Sequence, residues 1–437
     1  MRPLGIVLIA ILLLLPIIWL PGIARGRDVI ALFSQYLGMA ALIAMAIAQI
    51  IATRWSGVEP VFGPLDQSYR VHKWLGIGSM VAILLHDTID AEMDGLGRET
   101  VIVVAAETLG EISLYGLLIL VIITIATFIP YHLWKWTHRL IGIFFVMGAL
   151  HYLFILKPFS NGDPLGLYMG VVCVIGLVAY AYTSAPRRFR PYRTYRVERT
   201  RQEHGALAIE MVPEGRALRH RPGQFAFFSF MGAGLPEPHP VTISSAPAED
   251  GRLRITVAPL GDLTGRVIRA VEAGGAVRVE GPYGRFGQGP ARSGLWIAAG
   301  IGVTPFLALG QALAPSDPPV TMIYSVRDRS SAAHLAELED LAAAKDNFRL
   351  ELWESAARGR LTAEGATEFL NRSGDAARVM FCGPVEMRRS LAQGFAVSGV
   401  SPRDFHYEEF EIRTGLGLRP FARWLWDRRG DLAQRAG

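Results

Sequence analysis

The chain has only two cysteines in 437 residues. Two thiolates cannot supply the four ligands of a cysteine-bound iron–sulfur cluster. Cys173 lies in a long apolar stretch and Cys382 in the more polar part of the chain, so a disulfide between them is not expected. The sequence therefore excludes a cysteine-ligated cluster and predicts two free thiols.

Charged residues are scarce in the first part of the chain. Residues 1 to about 184 are apolar, whereas residues 187–437 carry most of the Arg, Asp and Glu. This contrast predicts a membrane domain followed by a soluble region large enough for two domains. The net charge of +5 is modest, and the basic residues cluster beside apolar stretches. We therefore expect contact with membrane lipid and no nucleic-acid partner.

Six apolar stretches are long enough to cross a bilayer. They are residues 4–21, 29–51, 71–89, 101–129, 137–156 and 165–184. No small-x-small cleavage site follows the first stretch, so we expect a retained anchor in place of a cleaved signal sequence.

Lys and Arg residues near the ends of the spans predict the orientation. The side expected to be cytoplasmic carries Arg2, Arg54, Arg70, Lys73, Lys135, Arg139, Arg187, Arg188 and Arg190. The opposite side carries Arg25, Arg27, Arg98 and Lys157. Both termini and the soluble region are therefore predicted to be cytoplasmic, with the protein in the plasma (inner) membrane.

Four histidines lie in the apolar region at nearly matched spacing. Thirteen residues separate His72 from His86, and twelve separate His138 from His151. A histidine in hydrocarbon needs a partner, and a neutral imidazole is a good ligand of haem iron. Each spacing separates two ring levels by about 20 Å along a helix. We expect His72 with His138 on an inner haem, and His86 with His151 on an outer one.

The spacing of the second pair does not fit a straight helix. Fourteen steps return to within about 40° of the starting face, whereas thirteen miss it by about 140°. Ring rotamers, a local π or 3₁₀ turn, or differently turned haem planes must absorb the difference. The alternative interpretation is four core histidines that bond to neighbouring backbone or hydroxyl groups.

The soluble half begins with short β-like runs that alternate with turns. Up to about residue 290 this pattern predicts a small antiparallel barrel. A helix is expected after Gly261-Asp262, with Thr264 as its N-cap and its free amides available to a phosphate.

From residue 294 strands alternate with helices, which predicts a parallel sheet covered on both faces. Ligands bind such sheets at the carboxyl ends of the strands. The segment Gly300–Pro305, GIGVTP, lies at one such end and the segment Cys382-Gly383-Pro384 at another. The two motifs together indicate a nucleotide site more strongly than a lone GxG does.

Five segments resemble the flavin and nicotinamide motifs of the ferredoxin-NADP reductase superfamily. They are HPVTISS (239–245), GPYG (281–284), AAGIGVTPF (298–306), CGP (382–384) and YEEFEIR (407–413). Together with the histidine pairs, they resemble the ferric reductase and NADPH oxidase family over residues 28–413.

The resemblance implies a multi-domain fold. A six-helix transmembrane bundle that holds two haems would span residues 1–185. An antiparallel β-barrel FAD domain would span 186–290, and an α/β parallel-sheet NAD(P)H domain 291–413. A basic C-terminal tail would span 414–437.

The resemblance also implies which residues bind FAD. His239 would approach the pyrophosphate and Thr242 the flavin near N5, with Pro240 and Val241 between them. Val241 stands where the family usually has an aromatic residue, which leaves one flavin face less well stacked. Gly261 and Thr264 would border the FAD phosphates.

The nicotinamide site is implied by a second set of residues. They are Gly300, Gly302, Thr304, Pro305, Arg327, Cys382, Gly383 and Pro384. Arg327 would either pair with a 2′-phosphate or remain a solvated loop arginine, so both NADH and NADPH stay open. Thr242, Cys382 and Phe410 are the implied catalytic residues, with Phe410 covering the flavin. A buried small residue and a core aromatic are the alternative interpretations of Cys382 and Phe410.

The implied activity is that of a flavocytochrome b of the NAD(P)H oxidase or ferric-chelate reductase type. Electrons would pass from cytosolic NAD(P)H through FAD and two b-type haems to an extracytoplasmic acceptor. That acceptor would be oxygen, giving superoxide, or a ferric chelate. Two alternatives stay open, namely an electron-delivery subunit for an extracytoplasmic redox protein and a haem-binding sensor or transporter with a degenerate reductase region.

Overall fold

The computed structural model describes residues 2–24, 27–89, 96–125, 131–185, 191–259, 262–288, 294–370 and 378–408. The chain divides into two compact units between residues 189 and 190. The first unit is helical, and the second contains two β-sheets.

The helical unit begins with two helices separated by a 3₁₀ segment, Leu15–Ile18, which contains Pro16. Asp28 caps the third helix by accepting a hydrogen bond from the Ile30 amide at 2.7 Å. The helices are α1 Pro3–Leu14, α2 Leu20–Ile23, α3 Val29–Thr53, α4 Val58–Phe62, α5 Leu65–Thr88, α6 Val101–Ile125, α7 Tyr131–Phe154 and α8 Pro164–Ser184.

Five helical segments among the described residues are long and apolar enough to cross a membrane. They are Pro3–Ile23, Val29–Thr53, Val101–Thr124, Leu133–Phe154 and Pro164–Ser184. The prediction of six spans is not confirmed, because the third predicted span lies in α5, which is not one of these five. That helix begins at Leu65 and carries Asp66, Arg70 and Lys73 near its start, so it is less apolar than the others.

The helices pack through a shared apolar core. Ile43 and Ile51 of α3, Phe145 of α7 and Met169 of α8 are fully buried in it. Outward-facing residues such as Ile119 of α6 are more than half exposed. Apolar side chains that face away from the protein core are typical of helices surrounded by lipid.

The first β-sheet has six antiparallel strands, as the sequence predicts. They are β1 Arg193–Glu203, β2 Ala206–Pro213, β3 Phe225–Phe230, β4 Leu235–Thr242, β5 Leu253–Val257 and β6 Ala276–Tyr283, in the order β4-β3-β6-β1-β2-β5. Helix α9, Asp262–Ala270, lies between β5 and β6 in the chain. The two edges of the sheet approach each other at a single isolated bridge, Ile243 to Ile255. The sheet is confirmed, while its closure into a barrel stays a prediction. Residues 191–288 are called the antiparallel domain below.

The second sheet is parallel and has helices on both faces. Its strands are β7 Gly294–Ala299, β8 Val320–Val326, β9 Phe348–Glu354, β10 Val379–Cys382 and β11 Phe405–Tyr407, in the order β11-β10-β7-β8-β9. Its helices are α10 Thr304–Gln311, α11 Leu335–Ala344, α12 Ser355–Arg358, α13 Ala363–Leu370 and α14 Val385–Val397. Residues 294–408 are called the parallel domain below.

Successive residues of β7 enter different cores. Trp296 packs with Phe306 on one side of the sheet, and Ile297 packs with Phe381 and Phe395 on the other. This alternation follows from the two-residue period of a strand. A sheet buried on both faces has continuously apolar inner strands, which is why β7, β8 and β10 could be predicted from the sequence.

Substitution of Phe395 tests the packing of the core that contains Ile297 and Phe381. Phe395 is 1% exposed and packs against Phe405 with ring centroids 6.0 Å apart. We expect Phe395→Ala to lower the free energy of unfolding of the parallel domain by about 3–5 kcal/mol, because a buried ring leaves a cavity. Guanidinium unfolding in detergent measures the change, and hydrogen exchange of β10 assigns it to this domain.

Val397 provides the control in the same helix, because it is 90% exposed. Val397→Ala should change the free energy by less than about 0.5 kcal/mol. Equal effects of the two substitutions would contradict the packing of α14 described here.

Candidate cofactor sites

Two of the four histidines face each other across the helical unit. His72 of α5 and His138 of α7 have ring centroids 5.9 Å apart. A metal–imidazole bond is about 2 Å long, so two imidazoles on opposite sides of one metal ion have centroids about 6 Å apart. The structure therefore brings the predicted inner pair together at a distance that suits a shared metal.

The Nδ1 atom of each histidine has a hydrogen-bond partner. Nδ1 of His72 lies 2.9 Å from the Ala48 carbonyl oxygen, and Nδ1 of His151 lies 2.9 Å from that of Ala106. Nδ1 of His86 lies 2.8 Å from the Ser34 carbonyl oxygen. A carbonyl can only accept, so these bonds assign the proton to Nδ1 and leave Nε2 with a lone pair.

His138 is bonded differently. Its Nδ1 lies 3.2 Å from the hydroxyl oxygen of Thr124, and that hydroxyl donates to the Leu120 carbonyl at 2.8 Å. Because the hydroxyl has one hydrogen and uses it on Leu120, Thr124 accepts from Nδ1–H of His138. The tautomer is therefore the same as in the other three histidines.

The outer histidines each lie over a glycine. Gly38 lies one turn after Ser34, and a Cβ atom on it would be 3.3 Å from Nε2 of His86. Gly110 lies one turn after Ala106, and a Cβ atom there would be 2.6 Å from Nδ1 of His151. The two helix pairs, α3 with α5 and α6 with α7, thus hold their outer histidines in the same way.

The uneven spacing of the histidines is absorbed without a break in α7, which is α-helical from Tyr131 to Phe154. Of the three alternatives that the sequence left open, the local π or 3₁₀ turn does not occur in α7. The Thr124 hydroxyl lies between His138 and the Leu120 carbonyl and links the two groups. The backbone of α7 therefore stays regular, and His138 bonds to a hydroxyl where the other three histidines bond to carbonyls.

The inner pair, His72 and His138, fits a group that needs two imidazole ligands. Within the described residues, Nε2 of His72, His86, His138 and His151 has no hydrogen-bond partner, so each imidazole still has a ligand atom to offer. Groups of three or more metal-ligating side chains do not occur among those residues. A pair of imidazoles is sufficient for haem iron, since a porphyrin supplies the other four ligands.

The second candidate site lies at the carboxyl ends of β7 and β10. Ala298 of β7 pairs with Cys382 of β10, which brings the segments after them together. A Cβ atom on Gly302 would overlap the Cys382 carbonyl oxygen, so only glycine fits there. Gly300 has φ +52°, and a Cβ atom on it would meet only open space. The two predicted glycine motifs therefore form one surface.

The antiparallel domain contributes Thr242 and three aromatic residues. Thr242 is buried and pairs with Phe225 in the sheet, and Phe225 pairs with Tyr283 of β6. Phe225, Phe227 and Tyr283 have ring centroids 5.6–6.0 Å apart. Val241 instead packs towards the core of this domain. The aromatic surface beside Thr242 thus comes from neighbouring strands.

Glu408 of the parallel domain lies beside residues of the antiparallel domain at this site. It was not among the site residues predicted from the sequence. It is 8% exposed, and its Oε1 atom lies 3.0 Å from the position of a Cβ on Gly284. Phe225 is equally close to that position. Burial raises the pKa of the Cys382 thiol well above its usual value, and the charge of Glu408 raises it further. Cys382 is therefore a protonated thiol that can pack against a ligand and does not act as a thiolate nucleophile.

The other FAD-site predictions have mixed outcomes. His239 is half-buried, with its Nε2 atom 3.8 Å from a carboxylate oxygen of Glu237, and Pro240 is exposed. Thr264 is not an N-cap, because α9 begins at Asp262 and places Thr264 within the first turn. Gly261 lies outside the described residues.

The remaining nucleotide-site predictions lie around the parallel sheet. Thr304 and Pro305 are buried at the start of α10, and Gly383 and Pro384 precede α14. Arg327 is exposed just after β8. Phe410 and the tail at 414–437 lie outside the described residues.

Two family models match the chain, one in the helical unit and one in the parallel domain. Residues 37–149 match the ferric reductase like transmembrane component, and residues 296–393 match the oxidoreductase NAD-binding domain. The chain thus joins a ferric reductase-like transmembrane domain to an NAD-binding domain of the ferredoxin-NADP reductase type. The resemblance stated from the sequence is confirmed.

Curated relatives match the soluble half. The stachydrine N-demethylase reductase subunit Stc4 of Rhizobium meliloti is 30% identical over 226 residues, 46% of this chain and 62% of that protein. A heavy chain of the superoxide-generating NADPH oxidase of Dictyostelium discoideum is 26% identical over 192 residues, 40% of this chain and 36% of that protein. The chain therefore spans less than two thirds of the length of either relative.

Among solved structures, the flavohem-like FAD/NAD binding domain of nitric oxide dioxygenase from Vibrio cholerae is similar to half of this chain. It is 22% identical with a TM-score of 0.41, and the match covers 50% of this chain and 98% of that domain. At this score the likeness decides nothing about function.

Gly302 tests the nucleotide surface. We expect Gly302→Ala to destabilise the parallel domain by about 1–3 kcal/mol, because the new methyl group forces apart the Gly302 and Cys382 backbones. Thermal unfolding measures the change. Gly310→Ala in α10 is the control, since a Cβ there would lie 3.5 Å from its nearest neighbour, an ordinary contact. Unchanged stability of the Gly302 variant would contradict the close approach of the two motifs.

Proposed function

We propose that the protein is a transmembrane oxidoreductase that carries electrons from NAD(P)H through FAD and two b-type haems to an acceptor across the membrane. The observation that carries the proposal is the pairing of His72 with His138, each with Nδ1 bonded and Nε2 available. The same chain contains an NAD-binding domain. A domain for NAD(P)H, the electron donor, and a histidine pair for haem, an electron acceptor, occur on one chain. This combination supports electron transfer between them.

The histidines would hold the haems through Nε2. Their bonds to Ala48, Thr124, Ser34 and Ala106 fix the orientation of each ring and raise its basicity as a ligand. Two imidazoles would hold each haem, which would then supply one-electron transfer and not a binding position for the acceptor.

The soluble site would place nicotinamide against flavin. When bound, FAD takes a hydride from NAD(P)H and passes electrons on singly, which suits one-electron haem acceptors. Thr242 would hydrogen-bond the flavin near N5, with Phe225 and Tyr283 supplying an aromatic surface beside it. Cys382 and Glu408 would line the nicotinamide side and exclude water from it.

The orientation and the acceptor belong to the same proposal. The distribution of Lys and Arg supports a cytoplasmic reductase region in the plasma membrane, so the acceptor would be extracytoplasmic. Oxygen and a ferric chelate are the two candidates. The relative from Dictyostelium discoideum is named as a superoxide-generating NADPH oxidase, which favours oxygen. Residues 37–149 match a ferric reductase like transmembrane component, which favours a ferric chelate.

A second candidate function is electron delivery to a separate redox protein. It is favoured by the relatives named as reductase subunits, from Rhizobium meliloti and Pseudomonas aeruginosa. A turnover that appears only when a partner protein is added would favour this function over direct reduction of oxygen or iron.

Anaerobic addition of NADH or NADPH to the purified protein tests the proposal. Flavin absorbance should bleach and reduced b-type haem bands should appear, then vanish when oxygen or a ferric chelate is added. His138→Leu should abolish haem reduction and spare flavin reduction, because it removes a ligand of the inner haem. His86→Leu is the matched variant and should leave the inner haem reducible. A preparation without Soret absorbance, despite ample haem supply, would refute the two haem sites.

Thr124 gives a separate test of the inner site. Thr124→Val removes the acceptor for Nδ1–H of His138, which makes the imidazole a weaker and less well oriented ligand. The electron paramagnetic resonance signal and midpoint potential of the inner haem should therefore change, while those of the outer haem stay constant. Thr137→Val is the control, because the Thr137 hydroxyl bonds only to carbonyls of its own helix, Leu133 and Trp134. Identical spectra for both variants would count against the assigned His138 contact.

A further inference from the structure

A buried polar network joins the antiparallel domain to the parallel domain. At its centre Arg254 of β5 donates two hydrogen bonds to Glu337 of α11, at 2.8 and 2.9 Å. The two residues are 83 positions apart in the chain. Arg254 is 8% exposed, so the pair is shielded from solvent on the arginine side.

Further groups from both domains complete the network. The Arg254 guanidinium also donates to the Ser244 carbonyl at 2.8 Å. Gln311 of α10 donates to Glu337 and accepts from the Ala246 amide at 2.7 Å. His334, fully buried at the start of α11, lies 2.9 Å from the hydroxyl oxygen of Thr256 in β5 and 3.2 Å from Glu337.

Glu337 is held in its charged form by these contacts. Burial alone would raise the pKa of its carboxyl, but the hydrogen bonds from His334 and Arg254 outweigh burial and lower the pKa to about 2. The interaction is therefore a charged, directional one at neutral pH. Such a pair fixes geometry, although its desolvation cost makes it a weak source of stability.

The network contacts the strand that carries Thr242. Ser244 and Ala246 follow Thr242 by two and four residues in the same segment, HPVTISSA. On the other side, Gln311 ends the helix that begins at Thr304, directly after the GIGV turn. The contacts thus connect the expected flavin strand to the expected nicotinamide loop.

We propose that Arg254 and Glu337 are positioning residues that set the approach of nicotinamide to flavin. The inference rests on the proposed function. Hydride transfer requires the reacting atoms to be held within a few tenths of an ångström, and a misplacement of about 1 Å costs about 100-fold in rate. Apolar packing is non-directional, so it sets the relative position of two domains less sharply than a bidentate ion pair does.

The test compares Glu337→Gln with wild type in stopped-flow reduction of the flavin by saturating NAD(P)H. The rate should fall by up to about 100-fold, and the charge-transfer absorbance between nicotinamide and flavin should weaken. FAD content and flavin reduction by dithionite should not change, because neither depends on the placement of the nicotinamide.

Two further variants separate positioning from stability. The double variant Arg254→Met/Glu337→Met replaces the pair with apolar groups, so it should keep the unfolding temperature and still reduce the flavin slowly. Glu210→Gln breaks a bidentate pair with Arg199 that lies within the antiparallel domain, and should leave the rate unchanged. A double variant that reduces the flavin at the wild-type rate would overturn the proposal.

A distance measurement decides the question independently of activity. Both native cysteines are buried, so nitroxides can be attached selectively at Glu249→Cys and Val397→Cys, which are exposed positions in the two domains. Glu337→Gln should broaden the distance distribution between the labels. An unchanged distance distribution would overturn the proposal. If NAD(P)H failed to reduce the flavin of the wild-type protein, the proposed function would be refuted. The distance distribution would then still decide whether Arg254 and Glu337 position the two domains.

Discussion

Four half-buried imidazoles in the helical unit need partners for their N–H groups, and the neighbouring helices supply those partners. Hydrocarbon offers no hydrogen bonds, so each N–H must be satisfied by the protein. On α3 the carbonyls of Ser34 and Ala48 are fourteen residues apart, as are His86 and His72 on α5. Because two α-helices have the same rise, equal spacings on both let both bonds form at once. Satisfying the N–H groups at Nδ1 leaves the Nε2 atom of each ring with its lone pair.

The second helix pair departs from this symmetry at one position. Ala106 and Leu120 on α6 are again fourteen residues apart, but His151 and His138 on α7 are thirteen apart. The Thr124 hydroxyl lies between His138 and Leu120 and bonds to both. A hydroxyl is a weaker acceptor than a carbonyl, so His138 would be a less basic ligand than the other three. The two haem sites would differ in their protein surroundings although their histidines match in number.

Local patterns in the sequence were sufficient to predict much of the fold. The strands β7, β8 and β10 are short apolar runs bounded by glycine, proline or charge, β9 alternates apolar with charged residues, and the helices between them have the apolar period of 3.6 residues. The third span was placed less well, because polar residues near the start of α5 shortened the apolar stretch. Pairs such as His72 with Ala48, and Thr124 with His138, depend on which helices are neighbours, and no local pattern contains that information.

The same limit applies to the soluble site. Glu408 follows Tyr407 in a run of charged residues and resembles a surface acid in the sequence, yet the fold buries it beside Gly284 and Cys382. Arg254 and Glu337 lie 83 positions apart in the chain, so neither residue is marked in the sequence as the partner of the other. Interactions between distant segments are also those that fix one domain against the other.

The composition of the soluble site explains why a buried ion pair would be retained there. Thr242 and Phe225 come from the antiparallel domain, whereas Cys382 and Glu408 come from the parallel domain. A site shared in this way works only when the two domains keep a fixed relative position. An apolar contact of equal area would be at least as stable, since it carries no desolvation cost, but it would tolerate sliding. Arg254 makes two bonds to Glu337 across the domain boundary, and sliding by a single bond length would break both. The charged pair is therefore better explained by the need for geometry than by the need for stability.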